Sequence, residues 1–399
     1  MAAVLKHLLL TLRYPSFPSL VGDYHVGAIQ TRIPNGPACQ IHYPTAATMT
    51  RKEGNKKVPY FRPKAIDGLA DYTRQSPALL EFLSQRHHPC IMEATPIPST
   101  SFPIVIFSHG LGGSMEMYTT LCQQIASQGY WVLAVEHAEG SGAYAESATT
   151  GEPIFYRRPD DTPYSRNKVV NFRKDFLTQR RQELDSVLEY LFENKKKKNE
   201  VDDKTKDEML DHVWKAADTQ QGIHLVGHSF GGATMVQYLQ QLQQQQQQQP
   251  YKVESLSVLD CWAFSLPDSS LDQGIASTPM LSILSEAWLT NPETDQIQQL
   301  LQQSSQVSSW YIPKSVHTSF SDVVLWLPGF VTQAMGLRGR SEKMHETIRT
   351  SAMACVQHFQ RQPVDKVVGL KEFPVQSSTT TKTTATSAQQ ETILNTATS

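Results

Sequence analysis

The sequence predicts an α/β fold in which helices cover both faces of a mostly parallel central sheet. Residues 102–108 and 130–135 are apolar segments separated by a helical segment, an alternation typical of parallel strands joined by helices. Residues 222–234 give a second indication, because they read as a buried strand, a glycine-rich turn and the start of a helix. With 399 residues, of which 39% are hydrophobic and 19% charged, the chain is long enough for one large globular domain.

The N-terminal half is predicted from apolar spacing and turn residues. The turn Pro34-Asn35-Gly36-Pro37 separates two segments that read as antiparallel strands. The predicted elements are strands over 24–33 and 38–43, a helix near 77–86, a strand over 102–108, a helix over 117–128, a strand over 130–135 and a long amphipathic helix over 169–193. The remainder of 60–100 is predicted to be irregular.

The C-terminal half continues the alternation. The predicted elements are a helix over 209–217, a strand over 223–226, a helix over 233–241, strands over 253–259 and 280–284, a helix over 294–303, a strand over 309–316 and a closing helix over 341–360. We therefore predict one folded domain over 21–362, with a glutamine tract inserted at 243–249. An N-terminal extension (1–20) precedes it, and a Ser/Thr-rich tail (363–399), predicted to be disordered, follows.

The pentapeptide Gly227-His228-Ser229-Phe230-Gly231 lies where the predicted strand gives way to a helix, which is the pattern of a nucleophile elbow. A serine in so tight a turn has a strained backbone, and glycines two residues before and after it avoid collisions with the neighbouring chain. We predict Ser229 as a nucleophile; the alternative is a turn that only links strand to helix.

A serine nucleophile needs a histidine base that a carboxylate orients, and in the α/β-hydrolase fold the chain order is serine, acid, histidine. Three histidines follow Ser229. His345 and His358 lie in the predicted closing helix, whereas His317 follows the last predicted strand, at the loop edge of the sheet. We therefore predict His317 as the base.

Two carboxylates are candidates for the acid. Asp260 and Glu286 each follow a short apolar strand directly, which places both at the same edge of the sheet. The residue pattern alone leaves the choice between them open. For either residue, the alternative role is a helix cap or a surface charge.

Acyl transfer also needs N–H donors for the oxyanion of the tetrahedral intermediate, each worth about 3 to 4 kcal/mol. The amide of Phe230, directly after the predicted nucleophile, is one candidate. The glycine-rich loop His109-Gly110-Leu111-Gly112-Gly113 supplies a second, through the amide of Leu111, since its glycines let the backbone approach a substrate.

Five strings of the sequence occur in the order and with the spacing of a known family: Phe107-Ser108-His109-Gly110-Leu111-Gly112, Val135-Glu136-His137, Gly227-His228-Ser229-Phe230-Gly231-Gly232-Ala233-Thr234, Leu259-Asp260-Cys261-Trp262 and Ser315-Val316-His317. They resemble the platelet-activating factor acetylhydrolases, the lipoprotein-associated and intracellular type II, calcium-independent phospholipases A2. The resemblance implies an α/β-hydrolase catalytic domain over 21–362. It also implies Asp260 rather than Glu286 as the acid, and Leu111 and Phe230 as the oxyanion donors.

The activity that the resemblance implies is that of a 1-alkyl-2-acetylglycerophosphocholine esterase. Such an enzyme cleaves the short or oxidised sn-2 acyl ester of a phospholipid, giving a lysophospholipid and a carboxylic acid. Ser229 would attack the ester, His317 would transfer the proton and Asp260 would orient His317, without a metal or another cofactor. The alternatives are a broader carboxylesterase or lipase on neutral esters and a non-catalytic lipid-binding protein.

An unusually apolar segment, residues 323–331, follows the predicted base. We predict that Leu325, Trp326, Leu327 and Phe330 form part of a membrane interface, the alternative being a helix buried in the core.

The composition bears on partners and compartment. A net charge of −2 gives no electrostatic case for nucleic-acid binding, and the five cysteines have no metal-type spacing and are predicted to be reduced thiols. No apolar run reaches the roughly eighteen residues of a membrane-spanning helix. We predict a cytoplasmic protein that associates transiently with lipid surfaces; the basic, acid-free N-terminus indicates a mitochondrial presequence as the alternative.

Overall fold

The computed structural model describes residues 14–48, 58–98, 100–159, 165–197, 208–245, 249–343 and 345–375. The strands are β1 (His25–Arg32), β2 (Ala38–Thr45), β3 (Ile91–Met92), β4 (Ile104–Ser108), β5 (Trp131–Val135), β6 (Tyr144–Glu146), β7 (Pro153–Phe155), β8 (Ile223–His228), β9 (Val253–Leu259), β10 (Met280–Ser285), β11 (Val307–Ile312) and β12 (Lys371–Glu372). The α-helices are α1 (Pro63–Thr73), α2 (Pro77–Leu80), α3 (Thr119–Ala126), α4 (Arg166–Lys197), α5 (Glu208–Lys215), α6 (Phe230–Gln244), α7 (Asp268–Gln273), α8 (Thr294–Gln302), α9 (Gly329–Ala334) and α10 (Glu346–Phe359).

One large sheet contains all of these strands except the antiparallel pair β6 and β7, in the order β12-β11-β10-β9-β8-β4-β5-β2-β1-β3. The neighbours from β5 through β4, β8, β9 and β10 to β11 are all parallel. Strand β2 pairs antiparallel with β1 and β5, and β12 pairs antiparallel with β11. The predicted mostly parallel sheet is confirmed.

Two apolar layers cover the sheet, and the central strand β4 contributes to both. Its residues Ile104 and Ile106 belong to the apolar layer that includes side chains of α4, α5, α6, α7 and α8, whereas Val105 and Phe107 belong to the layer that includes side chains of α1, α3 and α10. Successive side chains of a strand point to opposite faces, so an apolar strand of this kind must be covered on both sides. Helices on both faces are thus confirmed.

Helix α1 corrects the prediction that most of 60–100 is irregular. Pro63 is at the start of the helix, where its missing N–H costs nothing, and Ile66 and Leu69 are buried on one face. Gly68 lies so close to the backbone of the segment before β6 that a Cβ atom there would be 2.4 Å from the carbonyl oxygen of Ala143. The sequence signal was present in the proline and the apolar spacing, but the glycine inside the helix obscured it.

The predicted domain boundary at residue 362 is also wrong. Val364 and Val367 are buried, and β12 continues the sheet by pairing Glu372 with Trp310 of β11. These contacts place residues up to 375 in the folded domain. A few apolar residues in a polar stretch are enough to hold the segment against the domain when a strand at the edge of the sheet can pair with it. The rest of the predicted tail, 376–399, lies outside the described residues.

The described part of the predicted N-terminal extension, residues 14–20, packs against the domain. The ring of Tyr14 stacks on Phe82 with centroids 5.3 Å apart, and Phe17 lies 5.5 Å from Tyr60. Of the predicted glutamine insertion, α6 includes the first residues and ends at Gln244, and 246–248 lie outside the described residues.

Candidate active site

Ser229 occupies the turn between β8 and α6 with φ 55° and ψ −120°, a conformation that L-residues rarely adopt. A Cβ atom on Gly227 would lie 2.3 Å from the carbonyl oxygen of Gly231, and one on Gly231 would lie 2.0 Å from that of Ser108. Neither distance is sterically allowed, so both positions require glycine. The sharp turn predicted from the pentapeptide is therefore present.

His317 begins a short 3-10 helix, His317–Phe320, beyond the end of β11. Its Nε2 atom lies 3.0 Å from Oγ of Ser229, and its Nδ1 atom lies 3.1 Å from Oδ2 of Asp260. Asp260, directly after β9, is fully buried and accepts hydrogen bonds from the backbone N–H (2.5 Å) and the hydroxyl (2.6 Å) of Ser285. The structure thus brings the predicted serine, histidine and aspartate into one hydrogen-bonded chain.

Glu286, the other candidate acid, is not part of this chain. It lies at the start of the 3-10 helix Glu286–Thr290, is exposed, and accepts a hydrogen bond from the backbone N–H of Lys314. Of the other histidines after Ser229, His345 immediately precedes α10, and His358 lies within α10 with Nε2 3.3 Å from the carbonyl oxygen of Pro279.

Trp288 covers one face of His317. The two rings are stacked, with centroids 4.6 Å apart and planes 22° from parallel, and Trp288 is only 8% exposed. An indole face attracts a cation placed over it, and an imidazolium in this position would benefit. No local sequence pattern marks Trp288, since nothing near it in the chain connects it with a histidine on another loop.

The loop after β4 lies directly against Ser229. A Cβ atom on Gly110 would be 3.0 Å from Cβ of Ser229, and Gly112 has φ +64° and donates its N–H to the carbonyl of Ser141 at 2.8 Å. In the described part of the chain, the backbone amides of Leu111 and Phe230 have no hydrogen-bond acceptor. Both predicted donors therefore lie on the two segments that flank Ser229.

Buried polar side chains hold the first residues of this loop in place. Burial lowers the pKa of His109 well below its usual range, so the neutral ring donates from Nδ1 to the carbonyl of Gly110 (2.8 Å) and accepts at Nε2 from the amide of His137 (3.2 Å). Arg180, which is fully buried and paired with Glu139, donates to the carbonyl of His109 at 2.8 Å. The start of the loop is thus held by side chains from α4 and from the segment after β5.

A second serine–histidine–carboxylate arrangement lies beneath the loop. The hydroxyl of Ser108 is 2.8 Å from Nε2 of His137, whose Nδ1 is 2.7 Å from Oε2 of Glu183. Ser108 is a fully buried strand residue and His137 is also fully buried, so no substrate can reach them. Burial raises the pKa of Glu183 to about 7, and we interpret this cluster as support for the end of β4.

The predicted membrane-interface residues separate into two groups. Leu325 is fully buried in the core and Trp326 is half-buried, its ring 5.3 Å from Phe61; the prediction that Leu325 lies at a surface is wrong. Leu327 is half-buried as well. By contrast, Phe330 on α9 is 69% exposed. The apolar composition of the segment could not show that only its second part faces outward.

The segment that follows α9 is hydrogen-bonded to the loop that carries His317. The hydroxyl of Thr318, next to His317, donates to the carbonyl of Leu337 at 2.6 Å, and Met335 at the end of α9 is 60% exposed. Among the described residues, no helix is long and apolar enough to cross a membrane, and no cluster of His, Cys, Asp and Glu has the arrangement of a metal site.

The sheet order, the serine at the turn after β8, and the acid and histidine that follow later strands define the α/β-hydrolase class. A ferulic acid esterase from Streptomyces cinnamoneus has a similar fold, with a TM-score of 0.56 and 17% sequence identity over 88% of this chain and 93% of that one. The predicted fold class is confirmed.

Residues 12–374 match the family model described as platelet-activating factor acetylhydrolase, isoform II, and the chain belongs to this family. It is 28% identical to a platelet-activating factor acetylhydrolase of Cavia porcellus over 65% of the chain, and 27% identical to one of Gallus gallus over 64% of the chain. These matches span 57% and 62% of the two relatives' own lengths. A putative phospholipase A2 of Schizosaccharomyces pombe is 28% identical over 69% of this chain and 71% of its own length. The family resemblance predicted from the sequence strings is thus confirmed.

Proposed function

We propose that the protein is a serine hydrolase that cleaves the short or oxidised sn-2 acyl ester of platelet-activating factor-like glycerophospholipids, giving a lysophospholipid and a carboxylic acid. The observation that carries the proposal is the hydrogen-bonded chain from Ser229 through His317 to Asp260, in a member of this family. A hydroxyl becomes a useful nucleophile at neutral pH only when such a base is in contact with it.

In the proposed reaction, Oγ of Ser229 attacks the ester carbonyl carbon while Nε2 of His317 takes its proton. Asp260, held by the two hydrogen bonds from Ser285, orients the imidazole and stabilises the imidazolium that forms. The oxyanion of the tetrahedral intermediate accepts hydrogen bonds from the amides of Leu111 and Phe230.

The second half of the reaction reverses the proton transfer. His317 gives its proton to the departing alkoxide of the lysophospholipid, which leaves an acyl ester on Ser229. His317 then takes a proton from a water molecule that attacks this ester, and the carboxylic acid is released as the proton returns to Oγ. Every step uses groups of this chain and a water molecule.

A phospholipid must be reached at a lipid surface, and we place the membrane contact at α9. Phe330 and Met335 expose large apolar side chains on the segment that Thr318 ties to the catalytic loop. Apolar side chains on a short interfacial helix bind lipid surfaces peripherally and reversibly. This contact would give a cytoplasmic protein the transient membrane association that the sequence predicts.

The test is hydrolysis of phosphatidylcholines whose sn-2 chains range from acetyl to palmitoyl, in excess chelator, by the wild type and Ser229→Ala. The proposal expects activity on acetyl and truncated chains that falls steeply with chain length and is lost in the variant. Brisk turnover of simple esters with none of phospholipids would instead assign a general carboxylesterase. Absence of turnover and of labelling by a fluorophosphonate would point to a non-catalytic lipid-binding protein.

A further inference from the structure

The hydroxyl of Tyr118 lies where the oxyanion loop, the nucleophile turn and the histidine loop come closest together. It accepts the backbone N–H of Gly110 at 3.3 Å and is 2.8 Å from Nδ1 of His228, the residue before the nucleophile. On the other side of the same ring, Nε2 of His228 is 3.1 Å from the carbonyl oxygen of His317. One continuous chain of hydrogen bonds therefore joins three loops that leave the sheet from different strands.

The directions of these hydrogen bonds follow from which of the atoms carry a hydrogen. The carbonyl of His317 can only accept, so Nε2 of His228 carries a hydrogen and donates it. Burial, followed by the neighbouring His317, lowers the pKa of His228 well below its usual range, so the ring is neutral and Nδ1 is an acceptor. The single hydrogen of the Tyr118 hydroxyl then goes to Nδ1, and its oxygen accepts from Gly110.

Packing leaves these groups little freedom to find other partners. Tyr118 is 3% exposed with its ring 4.8 Å from Phe107, and His228 is 4% exposed with its ring 4.6 Å from that of His317. An amide or ring nitrogen deprived of its partner here would be buried without compensation. The chain therefore resists any shift of the oxyanion loop relative to the histidine loop.

We propose that Tyr118 and His228 are positioning residues for the reaction, which fix the backbone of the oxyanion loop and the backbone of the base relative to Ser229. This inference rests on the proposed function and deepens it. Neither side chain transfers a proton to the substrate. Their effect is on geometry, and small displacements of a base or of an oxyanion donor reduce the rate far more than they reduce binding.

The structure offers a matched control for removing the Tyr118 hydroxyl. Tyr43 in β2 is also fully buried, and its hydroxyl donates to the carbonyl of Ala94 at 2.8 Å, so it too loses one buried donor when replaced by phenylalanine. Tyr118→Phe leaves the amide of Gly110 and Nδ1 of His228 without their partner, whereas Tyr43→Phe leaves one carbonyl, so Tyr118→Phe should have the lower melting temperature while both variants stay folded at the assay temperature. Only Tyr118→Phe should lower kcat, by roughly 10- to 100-fold with KM within about threefold, on a soluble ester such as p-nitrophenyl acetate.

Two replacements of His228 test the other half of the chain. His228→Gln keeps an N–H that can reach the carbonyl of His317, whereas His228→Leu does not, so the glutamine variant should retain more of kcat. Both residues act through one chain of hydrogen bonds. The double variant Tyr118→Phe/His228→Leu should therefore have about the same kcat as the less active of the two single variants.

The outcomes separate this inference from the proposed function. If the wild type hydrolyses no ester, the proposed function fails and this inference fails with it. If the wild type is active but Tyr118→Phe keeps the kcat of Tyr43→Phe, or if the effects at Tyr118 and His228 on ln kcat are additive, the positioning role is wrong while the proposed hydrolase activity stands.

Discussion

Asp260 reaches His317 past the end of an intervening strand: β10 lies between β9 and β11, and the Oδ2–Nδ1 distance is nevertheless 3.1 Å. Ser285, the last residue of β10, donates two hydrogen bonds to the same carboxylate. The carboxylate of Asp260 is thus fixed from the strand that it crosses, whereas Glu286, directly after β10, is left at the surface.

The two carboxylates should differ sharply when neutralised. Asp260→Asn is expected to lower kcat on a soluble ester by roughly 10³- to 10⁴-fold, the scale known for the orienting aspartate of a serine protease, because the wrong tautomer of the base is favoured. Glu286→Gln keeps an acceptor for the N–H of Lys314 and should change kcat by less than about twofold. Steady-state kinetics measures both, and equal losses in the two variants would contradict the assignment of Asp260.

Trp288 should contribute to rate through its stacked indole. A cation over an indole face is stabilised by about 0.5 to 2 kcal/mol. If the imidazolium of His317 loses this stabilisation in Trp288→Leu, kcat should fall by roughly 2- to 30-fold. Trp288→Phe keeps an aromatic face of weaker attraction and should lie between the leucine variant and the wild type. A leucine variant as active as the phenylalanine variant would show that only the volume of the side chain matters.

Gly231→Ala should prevent folding rather than merely slow the reaction. Its Cβ atom would meet the backbone of Ser108 at 2.0 Å, and a central strand cannot move aside. The control is Gly151→Ala, where φ is +71° but no atom lies within 4 Å, so the cost is limited to about 1 kcal/mol of backbone strain. Soluble yield and a cooperative thermal transition compare the two; a well-folded Gly231→Ala would contradict the tight turn.

Asp322 should make stability decrease with rising pH. It is buried, with Oδ2 2.7 Å from the hydroxyl of Tyr60 and 3.0 Å from the N–H of Thr120, and burial raises its pKa from 3.8 to about 6. The folded state holds this proton more tightly than the unfolded chain does. The resulting contribution of Asp322 to the free energy of unfolding is therefore fully present below about pH 4 and is lost as the pH rises through about 6.

The variant Asp322→Asn cannot ionise and should not show this loss. Its free energy of unfolding relative to the wild type should therefore increase by about 2 to 3 kcal/mol between pH 4 and pH 7, measured by urea unfolding. Asp67→Asn, which removes an exposed carboxylate on α1 without the buried contacts of Asp322, is the control for the loss of one charge. A constant difference at Asp322 would mean that the carboxyl is ionised throughout this range.

The exposed residues of α9 should govern lipid binding without affecting chemistry. Phe330→Ser/Met335→Ser removes two large apolar side chains, each worth about 1.5 to 3 kcal/mol when fully buried, and should weaken binding to phosphatidylcholine vesicles by at least about tenfold. Turnover of a soluble ester should be unchanged. Val368→Ser, which alters an 88% exposed apolar residue near β12, is the control. Equal vesicle binding by the two variants would place the membrane contact elsewhere.

The sequence predicted what local patterns determine. Ser229 could be predicted because the elbow needs its glycines at fixed spacing. His317 could be predicted because few histidines follow Ser229 in the chain. The choice between Asp260 and Glu286 needed the family resemblance, since both end strands and only the crossing of β10 distinguishes them. Trp288 and the hydrogen bonds of Tyr118 and His228 could not be predicted, because each depends on a contact between loops far apart in the chain. Leu325 was misplaced because an apolar segment does not reveal which of its residues face solvent.

The short strand β12 also has a consequence for how the molecule behaves in concentrated solution. It pairs with β11 only through Lys371 and Glu372, both exposed, so the outermost strand of the sheet at this side carries charges rather than apolar residues. Charged, very short edge strands discourage a second molecule from extending the sheet. A chain shortened before residue 371 would expose β11 instead, and its self-association would increase with protein concentration even if the enzyme centre remained intact.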